Sequence, residues 1–215
     1  MDKVLDRIGI YDFFGVIFPG IIAASVGFYY YPQSYDFLYN FTKTDSMRYF
    51  FFFVYSYILG QILHEVGFYY EKKWMFRKGE PQDVFLLNEN KILSSKEKEL
   101  YQEKFTGNIV LNVENFDCST CRVIYNYCKE QIKMKKIANS FEKIESLYGM
   151  TRCLYTLFFI NSILNLVVYG RMEPTIRFWI HEFISIIVWL LFYYRAKRYA
   201  QQRVKVVMRT YLTLD

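Results

Sequence analysis

The stretch YDFFGVIFPGIIAASVGFYYY, residues 11–31, decides how the chain is read. Asp12 is its only charge and Pro32 closes it. A helix needs about 20 predominantly apolar residues to cross a bilayer, and this run supplies them. Lys3 and Arg7 stand before it as they would before a signal peptide. The apolar run is longer than a signal core, however, and no small-x-small cleavage site precedes Pro32, so it reads as a retained span.

Three further apolar blocks follow, at residues 49–70, 153–169 and 178–194. The chain is 53% hydrophobic and 21% aromatic over 215 residues, an average that would also suit a soluble protein. It is the clustering that matters, since most charges fall in residues 71–149 and 195–215. The expectation is an all-α membrane protein of four spans. Residues 1–70 form a first hairpin, 71–149 a mostly helical insertion, 150–194 a second hairpin and 195–215 a basic tail.

Basic residues orient these spans. Lys43, Arg48, Arg171 and Arg177 lie in the two loops on one side, and the other 23 of the 27 lie on the side of the termini and insertion. The positive-inside rule places that side in the cytoplasm, here of a bacterial inner membrane. Phe28-Tyr29-Tyr30, Phe68-Tyr69-Tyr70 and Phe192-Tyr193-Tyr194 each end a span, where aromatic rings sit at headgroup level. Val26-Gly27-Phe28-Tyr29-Tyr30 recurs as Val66-Gly67-Phe68-Tyr69-Tyr70 on opposite faces, which reads as interfacial composition rather than duplication.

Within the first span, Gly20/Ala24 and Ala23/Gly27 are small pairs that admit a close helix neighbour, either inside the bundle or in another copy. Pro19-Gly20 should loosen the helix. In the insertion, Gly79-Glu80-Pro81 breaks the helix leaving the second span. Ser94 or Ser95 caps a short helix ending near Phe105, and residues 108–117 alternate weakly as an extended segment. A long helix from Ser119 carries Met134, Ile137, Phe141, Ile144 and Tyr148 at 3-4-3-4 spacing. That stripe asks for a partner: another insertion helix, a second copy or a cytoplasmic protein. Only Gly149 separates it from the third span, so one helix can run through both.

Chemistry-bearing residues are few. Gln61, His64 and Glu65 near the cytoplasmic end of the second span fit structural pairing, with Arg152 as a partner for Glu65, or an ion path. Asn161 and Asn165, with Ser162, make a polar strip that either bonds across helices or lines the pore of an oligomer. His181 and Glu182 fall near the outer end of the fourth span, where water is close. Arg195, Lys197, Arg198 and Arg203 read as a stop-transfer anchor on anionic headgroups, with direct nucleic-acid binding disfavoured. Cys118-Ser119-Thr120-Cys121 with Cys128 falls one ligand short of a structural zinc set, and both histidines lie in spans. No phosphate loop, nucleophile elbow or metalloprotease pattern is present, and no cofactor is expected.

The stretches Tyr11-Asp-Phe-Phe-Gly15-Val-Ile-Phe-Pro19-Gly20, Gly60-Gln-Ile-Leu-His64-Glu65 and Tyr148-Gly149-Met-Thr-Arg152 set a layout. It resembles the small multi-span membrane proteins of prokaryotic antiviral systems, such as the membrane subunit of the Kiwa anti-phage system. It is also similar to the four-span accessory proteins of RNA-targeting CRISPR loci. The resemblance implies an inner-membrane oligomer that senses infection or docks a cytoplasmic effector, or an effector that perturbs the membrane. The sequence reading is thus a non-enzymatic, homo-oligomeric scaffold or sensor with a cytoplasmic protein partner, and its alternative is an oligomeric pore or channel.

Overall fold

A computed structural model of the chain describes residues 12–42, 44–87, 91–106, 115–135, 139–169 and 176–213. Among the described residues the regular structure is entirely helical. Four helices are long and apolar enough to cross a membrane, at Phe13–Tyr30, Asp45–Met75, Phe141–Val167 and Phe178–Leu212. The protein is a multi-pass membrane protein of the all-α class.

The chain separates into two compact units. The first comprises Met1–Tyr70 with Ser146–Ala196, and the second Glu71–Glu145 with Lys197–Asp215. The tail therefore belongs with the insertion rather than standing apart.

In the first unit, a π-helical turn at Phe13–Ile17 leads into α1, Phe18–Tyr30. Pro19 has no N–H to return to the carbonyl of Gly15, and that carbonyl accepts instead from the Cys153 thiol at 3.4 Å. The short α2, Pro32–Phe41, joins α1 to α3, Asp45–Tyr70. α1 and α3 meet backbone to backbone. A Cβ on Gly20 would strike the Ser56 carbonyl, and one on Gly60 would strike the Val16 carbonyl. Gly20 is buried in this contact and Ala24 is buried as well; of the two readings offered for them, the neighbour seen at Gly20 is one inside the bundle. Small residues do here what they do between any two membrane helices, letting main chains approach.

The second unit begins with a π-helical turn, Glu71–Met75. Gly79, at φ +106°, stops that helix in a conformation that costs glycine least. α4, Pro81–Val84, follows, and then α5, Ser95–Phe105. Ser94 caps α5 in a complete capping box: its side chain accepts from the Glu97 amide, and the Glu97 carboxylate accepts from the Ser94 amide at 2.8 Å. That bond, first of all, holds the Glu97 carboxyl below its ordinary range. α6, Cys118–Met134, starts at Asp117, whose carboxylate accepts from the Thr120 amide at 2.7 Å and is pulled down to about 2 by it. The extended segment expected at 108–117 lies mostly outside the described residues.

α7 runs Asn139–Tyr169 and α8 runs Ile176–Leu212. α7 carries on through Gly149 into the third span. The single helix expected from Ser119 is two, α6 and α7, and the proposed stripe is divided between them. Met134 ends α6 and is 66% exposed, whereas Phe141 is 3% exposed inside the second unit. Ile137 lies outside the described residues. Ile144 is half-buried, and Tyr148 is buried within the first unit. The stripe is thus not a continuous unpartnered face. Phe141 joins Phe85, Leu86, Tyr101, Phe105 and Ile124 in a core completed from α8 by Val204, Val207, Met208 and Tyr211. The insertion buries its apolar surface because the tail supplies the missing wall.

Polar contacts pin this core at its margins. Arg122 grips Asp83 through two bonds of 2.7 and 2.5 Å, and Arg209 meets Glu97 at 2.9 Å. Arg203 donates to Gln82. That contact corrects its assignment to lipid headgroups, while Arg195, Lys197 and Arg198 remain exposed.

Candidate functional site

Polar side chains from three spans converge within the first unit. α7 presents Asn161, Ser162 and Asn165 across one turn, spaced so that Asn161 and Asn165 share a face. Facing them, α8 supplies His181, Glu182 and Ser185, also spaced about one turn apart. α1 contributes Tyr30 from its last turn.

The bonds are specific. Asn161 Nδ2 donates to Ser185 Oγ at 2.9 Å. Asn165 Nδ2 lies 3.2 Å from Glu182 Oε2 and 2.9 Å from His181 Nδ1, and the Tyr30 hydroxyl donates to Asn165 Oδ1. Ser162 Oγ donates to the other carboxylate oxygen of Glu182. Glu182 is 4% exposed, Asn165 2% and Asn161 4%. The donors that these bonds bring to the carboxylate are neutral, a hydroxyl and an amide. In hydrocarbon no water replaces a lost partner, so such a network is a strong constraint on how α1, α7 and α8 pack.

Within the chain, the Asn strip bonds across helices. Asn161 and Asn165 turn inward and bond to the chain's own fourth and first spans, so within one chain they do not line an open channel. Sequence reasoning set aside His181 and Glu182 as residues near water, and passed over Tyr30 and Ser185. The signal that could have found them was the spacing of Glu182 and Ser185, which matches that of Ser162 and Asn165 on an antiparallel neighbour.

The second polar group foreseen, in α3, is arranged differently from expectation. Arg152, 6% exposed, bonds through its guanidinium to His64. Its guanidinium also lies 5.4 Å from the Tyr148 ring centroid and 5.9 Å from that of Phe68, within cation–π range. The Glu65 side chain is 78% exposed and 3.9 Å from His64. Gln61 donates to the Tyr57 hydroxyl at 3.1 Å. Gly67 leaves room for this arrangement, since a Cβ there would sit 2.9 Å from Arg152 Cγ.

No family model, curated protein or solved structure matches the chain. The site must therefore be read from its own chemistry. Among the described residues no three His, Cys, Asp or Glu side chains are grouped to hold a metal ion. Cys121 and Cys128 are buried in the core of the second unit, seven residues apart on one face of α6, while Cys118 is exposed. Burial pushes the Cys121 thiol up to about 11 and the Cys128 thiol up to about 12, so both stay protonated and unreactive at neutral pH.

Proposed function

We propose that the protein is a non-enzymatic bacterial inner-membrane scaffold or sensor. In this reading it assembles as a homo-oligomer, and its second unit engages a cytoplasmic protein. The observation that carries the reading is the composition of α8. One unbroken helix bears Glu182 and Ser185 of the intramembrane network, and farther along it bears Val204, Val207 and Met208 of the second unit's core. An event that rearranges the network has a covalent, helical route to the cytoplasmic unit. That is part of the construction a sensor needs, a polar element tied to the part that reports; a second arrangement of the network is what the reading adds.

Two features support the rest. Only 11% of the apolar window in the fourth span is covered by the chain itself, which leaves a broad face for lipid or another copy. On the second unit, Leu100, Val123 and Met134 are about half exposed or more and offer apolar contact to a soluble partner. The basic asymmetry puts that unit and both termini in the cytoplasm. The antiviral setting is the one that the resemblance in layout implies.

Native mass spectrometry of the tagged protein, gently extracted from its host membrane, tests the reading. A homo-oligomer carrying a soluble protein in fixed stoichiometry is expected, with the partner lost on Val123→Asp. A closed oligomer with nothing bound, and with ion flux in reconstituted vesicles, would replace the scaffold with the pore. A monomer would contradict both.

A further inference from the structure

Asn165 serves three partners with one amide, and together they fix which way round that amide sits. Its Nδ2 lies 2.9 Å from His181 Nδ1 and 3.2 Å from Glu182 Oε2, while its Oδ1 accepts from the Tyr30 hydroxyl. A hydroxyl and a neutral imidazole nitrogen can each give or receive a hydrogen bond, but a carboxylate only receives. Glu182 therefore holds the amide with its nitrogen toward both α8 residues. His181 Nδ1 has to accept, and the proton of the neutral ring sits on Nε2.

That bond is open to the neutral ring alone. A second proton, on Nδ1, would set one N–H against another across 2.9 Å. Turning the amide over gives no relief, because Oδ1 would then face the Glu182 carboxylate. The ring has to leave instead. It has room to do so, since His181 is exposed and stands about one turn inside the start of the fourth span at Phe178. Among the described residues, the titratable groups around the ring are Tyr29 and Tyr30 of α1 and Glu182 on its own helix. The two tyrosine ring centroids lie 6.4 and 6.2 Å from that of His181, and α7 meets the ring with the neutral Asn165 amide. Phenols titrate far above the histidine range, so mild acid acts here on His181 or Glu182.

We propose that His181 is a proton-operated latch, whose protonation breaks the bond to Asn165 and frees the start of α8 from α7. The latch deepens the sensor reading and rests on it: it supplies the network's second arrangement and makes acid, on the side where α8 begins, the stimulus. It is tested on the purified chain alone. Failure to find a cytoplasmic partner leaves it untouched, and its own failure leaves the scaffold reading standing.

The test uses the full chain in phosphatidylcholine nanodiscs, with nitroxide labels on Leu166→Cys and Ile180→Cys. Both positions are exposed, and each adjoins one member of the latch. Cys118→Ser removes the exposed native thiol, and the other cysteines are buried. The dipolar coupling between the labels should weaken on going from about pH 8 to about pH 5, which bracket an ordinary histidine, and recover on return. His181→Asn places an oxygen that takes no proton as many bonds from the backbone as Nδ1, and should hold the coupling at both values. His64→Gln should respond like the wild type. His181 is then the one histidine left of two, so its ring nitrogens can be followed by 15N resonance. They should report Nε2–H in the neutral form and gain the second proton over the interval in which coupling is lost. Coupling that ignores pH would overturn the proposal. So would a response that persists in His181→Asn, which would assign it to Glu182. A ring that titrates out of step with the coupling, or carries its neutral proton on Nδ1, would overturn it even if His181→Asn failed to fold.

Discussion

Asn165 and Asn161 look equivalent in sequence, one turn apart on an apolar helix, yet their surroundings separate them. Replacing Asn165 with Leu strips Tyr30, His181 and Glu182 of a partner at once. Replacing Asn161 removes one bond, to a Ser185 hydroxyl that can turn back to its own helix carbonyls. Asn165→Leu should cost about 1–2 kcal/mol, at the upper end for intramembrane hydrogen bonds, and Asn161→Leu distinctly less. Unfolding in mixed micelles by added dodecyl sulfate measures both, and the reverse order would show the network to be misassigned. At this scale the sequence was informative about residue type and poor about partners. An Asn in a span announces a cross-helix bond, but which helix answers depends on rotation and depth. The same ambiguity hid His64 as a mate for Arg152.

Among elements, the contact of α1 with α3 is the one most legible from sequence, because only small residues allow main chains to touch. It also yields a paired prediction. Gly20→Ala drives a methyl into the Ser56 carbonyl and should destabilise by about 1–3 kcal/mol, as overpacking does. Gly27→Ala meets nothing within 4 Å and should leave the melting temperature close to wild type. Equal losses would mean that Gly27 packs against something outside the chain. α6 gives a pH prediction. Cys121, Tyr125 and Cys128 share its buried face, and burial raises them to about 11, about 12 and about 12. Groups whose folded values are raised stabilise fully below their unfolded values and lose that contribution as pH climbs through the folded ones. The second unit should therefore weaken from about pH 9 upward, well before its lysines lose charge, and Cys128→Ala should narrow that loss. Circular dichroism during alkaline titration reads it, and a flat response to pH 11 would contradict the burial. What sequence could not show here was the break between α6 and α7. The 3-4-3-4 spacing runs unbroken from Met134 to Tyr148, and periodicity carries no mark of where a helix stops unless glycine or proline intervenes.

At the scale of the whole molecule, hydropathy made the four spans legible because crossing a bilayer imposes a length that few other structures need. The partnership of insertion and tail was not legible. Val204, Val207 and Met208 sit among basic residues, and their average polarity hides an apolar stripe of helical spacing. That stripe fits a core built mainly by residues 85–141, far away in sequence. Their shared core has a topological consequence. Segments on opposite sides of a membrane cannot pack together, so the insertion and the tail lie on one face, with the second hairpin crossing twice between them. The proposed reading makes that face the cytoplasmic one, on the strength of the basic residues, and the scaffold reading depends on it. The exposed Cys118 reports the side directly, because Cys121, Cys128 and Cys153 are buried. A membrane-impermeant maleimide should label Cys118 in inside-out vesicles and leave it unlabelled in intact spheroplasts. Labelling of Cys118 in the intact spheroplasts would put the second unit outside the cell and contradict the account at its base.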